Sequence, residues 1–287
     1  MFGTLTYTAS WVRRRSGWDA RRVRNAPRYH NPTAEELAAV EDALRALGVT
    51  VEDYQVDPAS FARFKAEKPF PENYHGGQAG GVWDEKLLEH FIAARLLGLD
   101  DYRADDLYVD VAACHSPWAR YLREVRGLNA WAIDLAVGQA FRDLPYYRCE
   151  DATTTTFADA SIRGASLHCA FEMFAGDDDV DFVREAARIL APGGKVVIVP
   201  LYLHTHYCAY STAEYWGRGH SDPAAVEYVR MDTWGVPSSR KYDAQMLVRR
   251  VLEPAKAAGL AYRLRALRNQ NMLGNNIYCH FILELSR

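Results

Sequence analysis

The chain reads as an α/β protein: a doubly wound, seven-stranded sheet with an N-terminal helical cap and a lid insertion after strand five. Three observations predict this. Strand and helix signals alternate from Asp106 to the C-terminal end, the pattern of parallel strands joined by crossover helices. The stretch LYVDVAACHSPWARYLREVRGLNAWAIDL, Leu107 to Leu135, sets two apolar runs around an amphipathic segment, and each run closes on an acid, Asp110 and Asp134. Finally, two strand signals separated by the turn-forming NQNMLGNN come last, so they pair as neighbours.

In chain order, residues 1 to about 30 are rich in arginine and aromatics without a clear period and predict an arm packed on the body, or a partly ordered tail. NPTAEELAAVEDALRALG is a helix: Pro32 and Thr33 open it, Leu37, Val40, Leu44 and Leu47 form its apolar stripe, and Gly48 stops it. A loop rich in Pro, Phe and Tyr is expected from Val56 to Gly81. WDEKLLEHFIAARLLGL is a second amphipathic helix ending at Gly98, which completes a cap over residues 1–100 on a core over residues 101–287. Core strands follow at Leu107–Val111, at the run ending on Asp134, and near Tyr146–Cys149 and Ala165–Ala170. A helix at Val180–Leu190 is broken by Ala191-Pro192-Gly193-Gly194, which launches strand Lys195–Leu201. The insertion 202–242 carries many aromatics and histidines, as lids and substrate walls do. A helix at Ala244–Ala258 and strands Tyr262–Arg268 and Ile277–Leu285 complete the core.

Bulk properties narrow the function classes. A net charge of -3 over 287 residues argues against a dedicated nucleic-acid binder. No stretch approaches the roughly 18 apolar residues that span a bilayer, and the N-terminal arginines lack the apolar core of a signal peptide. The cysteines, Cys114, Cys149, Cys169, Cys208 and Cys279, include no CxxC pair and read as reduced thiols of a cytoplasmic protein.

A strand feeding a tight turn aims the turn's amides and the following helix N-terminus at one point above the sheet. An acid at the tip of the next strand is placed to accept hydrogen bonds from ribose hydroxyls. The unit around Asp110 and Asp134 therefore predicts an adenosine-type ligand, held by a loop of small residues without glycine. A single strand-end Asp is more often a helix cap or turn former. Asp110, Asp134 and Asp151 at three successive strand ends point instead to a ligand edge.

With the order of elements established, FVREAARILAPGGKVVIVPLY closely resembles the fourth helix and fifth strand of class I S-adenosylmethionine-dependent methyltransferases, and the resemblance covers roughly residues 100–287. It implies a methyltransferase-type sheet with S-adenosylmethionine as cofactor. In the family's first motif Asp110 matches the acid, Ala112, Cys114 and Ser116 stand at the glycine positions, and Ala113 lies between them. The resemblance implies that Asp134, with Leu135 beside it, meets the ribose. Asp151 and Ala152, in CEDA, would meet the adenine. His168 to Glu172 would sit where methyl group and acceptor come together. Tyr74, in the loop Tyr74-His75-Gly76-Gly77, is expected to close over the cofactor, whereas Lys86, Glu89 and His90 on the next helix read as a solvated face.

Methyl transfer to a hydroxyl needs a positioned acceptor and a base, and histidine suits that task near neutral pH. His168 is the leading candidate, with Glu172 as orienting acid or alternative base. His204 and His206 form a second cluster, because alternate residues of an extended segment face the same way. A carboxylate such as Glu172 or Asp243 would make a metal site of them. Two histidines without a clear third ligand are more often polar pocket groups, so no metal is assigned. Tyr207, Tyr210, Tyr215, Trp216, Tyr228, Trp234 and Tyr242 suggest a wall for a flat or sugar-like substrate.

The expected activity is thus biosynthetic O-methylation of a small hydroxylated acceptor, a sugar unit or secondary metabolite. Two rivals are 3-amino-3-carboxypropyl transfer or cyclisation from the same cofactor, and a non-catalytic scaffold that keeps the fold. Expected partners are a small-molecule substrate and at most a second copy of the chain, with neither nucleic acid nor membrane.

Overall fold

A computed structural model describes residues 18–218 and 222–287, so the predicted arm up to residue 17 lies outside the described residues. The first helices are α1 (Trp18–Arg22) and α2 (Ala34–Ala46). Thr33 and Glu36 close a capping box at the start of α2: the Glu36 N–H donates to the Thr33 hydroxyl at 3.2 Å, and the Thr33 N–H to the Glu36 carboxylate at 2.8 Å. Strand β1 (Val51–Tyr54) and helix α3 (Pro58–Ala66) come next. The expected loop therefore begins with a helix. Asp57 caps it, accepting from the Ala59 and Ser60 amides, Pro58 opens it, and Phe61 and Phe64 bury its inner face.

Helix α4 (Trp83–Leu97) ends on left-handed Gly98 as predicted. The core then runs β2 (Leu107–Val111), α5 (Trp118–Glu124), β3 (Asn129–Asp134), β4 (Tyr147–Cys149), β5 (Ile162–His168), α6 (Asp178–Ile189) and β6 (Leu190–Leu201). The Pro-Gly-Gly segment does not precede β6 but forms an irregular step inside it, where pairing with β5 moves from Ile162↔Leu190 to Gly164↔Lys195. Gly193 is left-handed, and a Cβ on Gly194 would lie 2.8 Å from the carbonyl oxygens of Ala191 and Ile162. Only glycine fits that step.

The insertion folds into strands β7 (Cys208–Thr212), β8 (Val226–Arg230) and β9 (Ser239–Lys241). The helix expected at Ala244–Ala258 is split into α7 (Ala244–Leu247), a π-helical turn Val248–Leu252, and α8 (Glu253–Ala257). Pro254 has no N–H to give the preceding turn, which accounts for the break. Strands β10 (Ala261–Leu267) and β11 (Phe281–Ser286) close the chain.

The main sheet has eight strands, in the order β1-β10-β11-β6-β5-β2-β3-β4. The seven-strand expectation missed β1, which pairs parallel with β10 from Val51↔Leu264 to Tyr54↔Leu267. Four residues are too few for a period-two pattern to register, and only pairing defines them as a strand. The other pairs are parallel except those of β11, which runs antiparallel to β10 and β6.

The chain also does not divide at residue 100. One compact unit comprises Val49–Phe171, Asp179–Leu201 and Arg249–Arg287; the other comprises the chain up to Gly48, Glu172–Asp178 and Tyr202–Val248. Helix α4 packs on β5 and β6 with Leu88 and Ile92 fully buried, which makes residues 49–100 part of the sheet body rather than a separate cap. In the other unit β7 pairs parallel with β8 and antiparallel with β9. Along the edge of β8 the Tyr29 amide donates to the Val229 carbonyl at 3.0 Å, and the Val229 amide donates to the Pro27 carbonyl at 2.9 Å. All five cysteines are free thiols. Among the described residues no helix is long and apolar enough to cross a membrane.

Candidate active site

Chain order puts β3 and β4 on one side of β2, and β5 and β6 on the other, so the C-terminal ends of β2 and β5 flank a topological switch point. At the end of β2 stands Asp110, 1% exposed. The loop after it is held in an unusual shape: Ala112 has φ 54° and Cys114 φ 47°. Non-glycine residues pay roughly 1–2 kcal/mol for that region. The left-handed backbone thus survives at two positions where the resemblance expects glycine. Asp134, ending β3, pins this loop: its Oδ2 accepts from the Cys114 amide at 2.8 Å and its Oδ1 from the Ala136 amide at 2.7 Å. Gly138 donates to the Cys114 carbonyl at 3.1 Å, and a Cβ there would collide with the His115 ring.

His168, the last residue of β5, sits beside Asp110 across the switch point, with Nδ1 3.1 Å from Oδ1. That bond assigns the proton to Nδ1 and leaves Nε2 as a lone pair. His90 of α4 stacks on His168 with centroids 3.7 Å apart and planes 21° from parallel. Its Nδ1 donates to the Lys86 carbonyl at 2.7 Å, so its Nε2 is also a lone pair, 3.5 Å from the Ser116 hydroxyl. Burial, then the neighbouring Lys86, lowers the His168 pKa to about 3. Burial and then His168 hold His90 well below the ordinary imidazole range. Burial raises Asp110 to about 6. Near neutral pH the two rings are neutral and Asp110 is mostly ionised. Among the described residues, Asp110 Oδ2 and His168 Nε2 are buried without a hydrogen-bond partner.

These groups line a cavity of about 230 Å³. Its walls hold seven of the predicted residues: Tyr74, Asp110, Ala112, Ala113, Cys114, Ser116 and His168. Tyr74 lies in a 3-10 turn whose Gly77 is obligatory, because a Cβ there would strike the Glu72 carbonyl. His75 beside it is lowered to about 4, chiefly by burial. Asp134, Leu135, Asp151 and Ala152 are not in the wall. They share its sheet edge, since Asp134 pairs with Cys149 and the Glu150 amide donates to the Asp134 carbonyl at 3.1 Å. Leu135 is 71% exposed, and the Asp151 carboxylate turns back to the Thr153 amide and hydroxyl. This part of the edge is an open shelf.

Lys86, Glu89 and His90 contradict the solvated face predicted for them: all are buried and line the cavity. Lys86 Nζ lies 2.9 and 3.2 Å from the two Glu89 oxygens. Burial works against its charge, yet Cys169, Glu89 and Tyr278 hold its pKa well above the ordinary value. A usable signal was present. α4 is apolar on several sides (Leu87, Leu88, Phe91, Ile92, Ala93), and polar residues on such a helix face an internal site.

Glu85 on the same helix accepts from the Tyr278 and Cys279 amides at 3.0 and 3.3 Å, and burial raises its pKa from 4.5 to about 7. Its raised folded-state pKa adds stability that is complete below about pH 4.5 and lost as pH rises through about 7. Glu85→Gln should therefore gain melting temperature relative to wild type between pH 5 and pH 8. A difference that stays flat over that span would refute the assignment.

In the other unit, His204 and His206 do converge, with ring centroids 4.4 Å apart. The Thr205 hydroxyl lies between their Nδ1 atoms at 3.2 and 3.3 Å, and His206 Nε2 is 2.9 Å from the Tyr228 hydroxyl. Burial, then His206, lowers His204 to about 4. The nearby third donor is Cys208, two residues on, and not Glu172 or Asp243. Asp243 instead caps α7 and accepts from the Tyr207 amide at 3.2 Å. Glu172 is buried, 6% exposed, on the segment that groups with the insertion.

A family profile described as a methyltransferase domain matches residues 109–198, from β2 into β6. No curated protein matches the chain. Similar solved structures include a 1,6-didemethyltoxoflavin-N1-methyltransferase from Burkholderia thailandensis, 14% identical over 83% of this chain and 93% of that one, TM-score 0.47. A possible histamine N-methyltransferase from Thermotoga maritima is 14% identical over 79% and 97%, TM-score 0.45. A third, from Methanosarcina mazei, is described as an S-adenosylmethionine-dependent methyltransferase and is 13% identical over 67% and 96%, TM-score 0.44.

Proposed function

We propose that this chain is a class I S-adenosylmethionine-dependent methyltransferase, a reading the domain match over residues 109–198 supports, and that it methylates a hydroxyl of a small molecule. The observation that carries this reading is the buried Asp110–His168 pair at the switch point, facing the cavity. An amine with a free lone pair can attack a methyl group unaided, whereas a hydroxyl must lose its proton. Asp110, which burial raises to about 6, supplies the base for drawing off that proton, and His168, hydrogen-bonded to it at 3.1 Å, holds it in place.

The residues present fit the cofactor. The left-handed loop lines the cavity mostly with small side chains, Ala112, Ala113, Cys114 and Ser116, with His115 beside them. When bound, S-adenosylmethionine supplies a methyl group made electrophilic by its sulfonium. The cavity suits the amino-acid end, and the open shelf of Asp134, Leu135, Asp151 and Ala152 suits the nucleoside. Asp134 has capacity for both jobs: two lone pairs hold the loop, and the carboxylate's remaining ones can accept from ribose. Tyr74 and His75 limit water at the cavity mouth.

Calorimetric titration with S-adenosylmethionine and S-adenosylhomocysteine, with product analysis in the presence of hydroxylated acceptors, tests this. Micromolar binding of both and formation of S-adenosylhomocysteine with a methyl ether is the expected result. Methylthioadenosine as product would replace methyl transfer by carboxypropyl chemistry, and methylated amines alone would sink the hydroxyl reading. Asp134→Ala should weaken cofactor binding by on the order of 1.5–3 kcal/mol, about tenfold or more. Unchanged affinity would remove Asp134 from the site.

A further inference from the structure

We propose that His90, Asp110 and His168 bind a divalent transition-metal ion at the floor of the cavity. One donor atom from each lies within 4.8 Å of the others. The three come from different elements, α4, β2 and β5, all anchored in the body of the sheet, and a turn of the stacked rings about their own axes would aim both at one ion. Each is buried: His90 and Asp110 are 1% exposed, and the His168 side chain 5%.

The donor chemistry suits a borderline ion. Two neutral imidazoles and one carboxylate are a set that binds zinc, cobalt, nickel or ferrous iron, and the adjoining cavity leaves coordination positions open. The surrounding shell is in place as well. The Lys86 carbonyl takes the His90 Nδ1 proton and so fixes the ring with Nε2 as the donor. Asp110 Oδ2 is a buried acceptor without a hydrogen-bond partner among the described residues, a costly arrangement that an ion would relieve. Lys86 lies on the same wall and is paired with Glu89 at 2.9 and 3.2 Å, so Asp110 adds a second carboxylate against one ammonium there.

The other close group of donors, His204, His206 and Cys208, lies in the other unit and includes no carboxylate.

What the ion would do rests on the methyl-transfer reading; that it binds does not. An acceptor oxygen bound to the ion loses its proton to water at lower pH. Its lone pair then forms the O–C bond as the S–C bond breaks, giving the methyl ether and S-adenosylhomocysteine. Asp110 and His168 would thus activate the hydroxyl by holding the ion.

The test uses the full chain, stripped with a chelator, desalted and titrated with Co²⁺ while visible absorption is recorded. One equivalent should produce ligand-field bands that Zn²⁺ abolishes. His90→Gln and Asp110→Asn should each weaken binding at least about tenfold, and His206→Ala should leave it unchanged. Saturating Zn²⁺ should also raise the melting temperature of the wild type, a readout that needs no variant. The proposal is overturned by absence of bands at large Co²⁺ excess, by absence of thermal stabilisation, or by binding lost in His206→Ala and kept in His90→Gln. Cofactor titration of the same samples separates the two readings. S-adenosylmethionine binding without cobalt binding overturns the ion alone; cobalt binding without cofactor binding overturns the methyl-transfer reading alone.

Discussion

His168→Ala is expected to lower kcat by about 10²- to 10⁴-fold, with a much smaller change in cofactor affinity. The ring ends β5, touches Asp110 at 3.1 Å and stacks on His90, so its removal takes away the neutral donor facing the cavity and leaves the Asp110 charge buried with one partner fewer. Either route to hydroxyl activation, by the Asp110 carboxylate or by a bound ion, passes through this residue. Asp134→Ala should show the opposite split, with cofactor affinity falling and kcat at saturation largely kept. The pair of variants therefore separates holding the cofactor from activating the acceptor. Loss of cofactor affinity in His168→Ala with kcat intact would assign His168 to binding and remove it from the chemistry.

The second large effect is on stability. Trp118→Ala should destabilise the fold by about 3–5 kcal/mol, read as a lower urea midpoint at constant slope. Trp118 opens α5 at 1% exposure, and its ring meets Phe64, Phe70, His90 and Tyr121 at centroid distances of 6.0, 6.0, 5.2 and 5.4 Å. Its Nε1 has no hydrogen-bond partner among the described residues, so Trp118→Phe should cost much less. A loss under about 1 kcal/mol for the alanine variant would mean that this layer repacks freely. Because Trp118 also contacts the back of His90, the same variant should loosen the imidazole stack.

Much of this protein was legible in one dimension. Strand-and-helix alternation from Leu107 and the acids closing β2 and β3 are local signals, whereas the Pro-Gly-Gly step proved to lie inside β6 and not before it. They identified the α/β class, and they placed Asp110 and His168 at the same edge of the sheet. Thr33 and Gly98 marked helix ends because caps are local chemistry too. Short elements were less legible. β1 and α3 carry too few residues for a period to emerge, and β1 is a strand only because β10 lies beside it.

The chemistry of the site shows the same division. Residue type and spacing by themselves determined the fold class, the acids at the strand ends and the convergence of His204 with His206, because backbone propensity and side-chain alternation act over a few residues. Tertiary structure alone decided that Lys86, Glu89 and His90 turn inward. It also decided that His90 stacks on a histidine 78 positions away (168 minus 90) and that two glycine-like conformations survive without glycine. The physical reason is that burial, pKa and metal affinity depend on what packs around a group in space. A helix that is apolar on several sides does not record along its own sequence which polar face meets solvent and which meets a cavity.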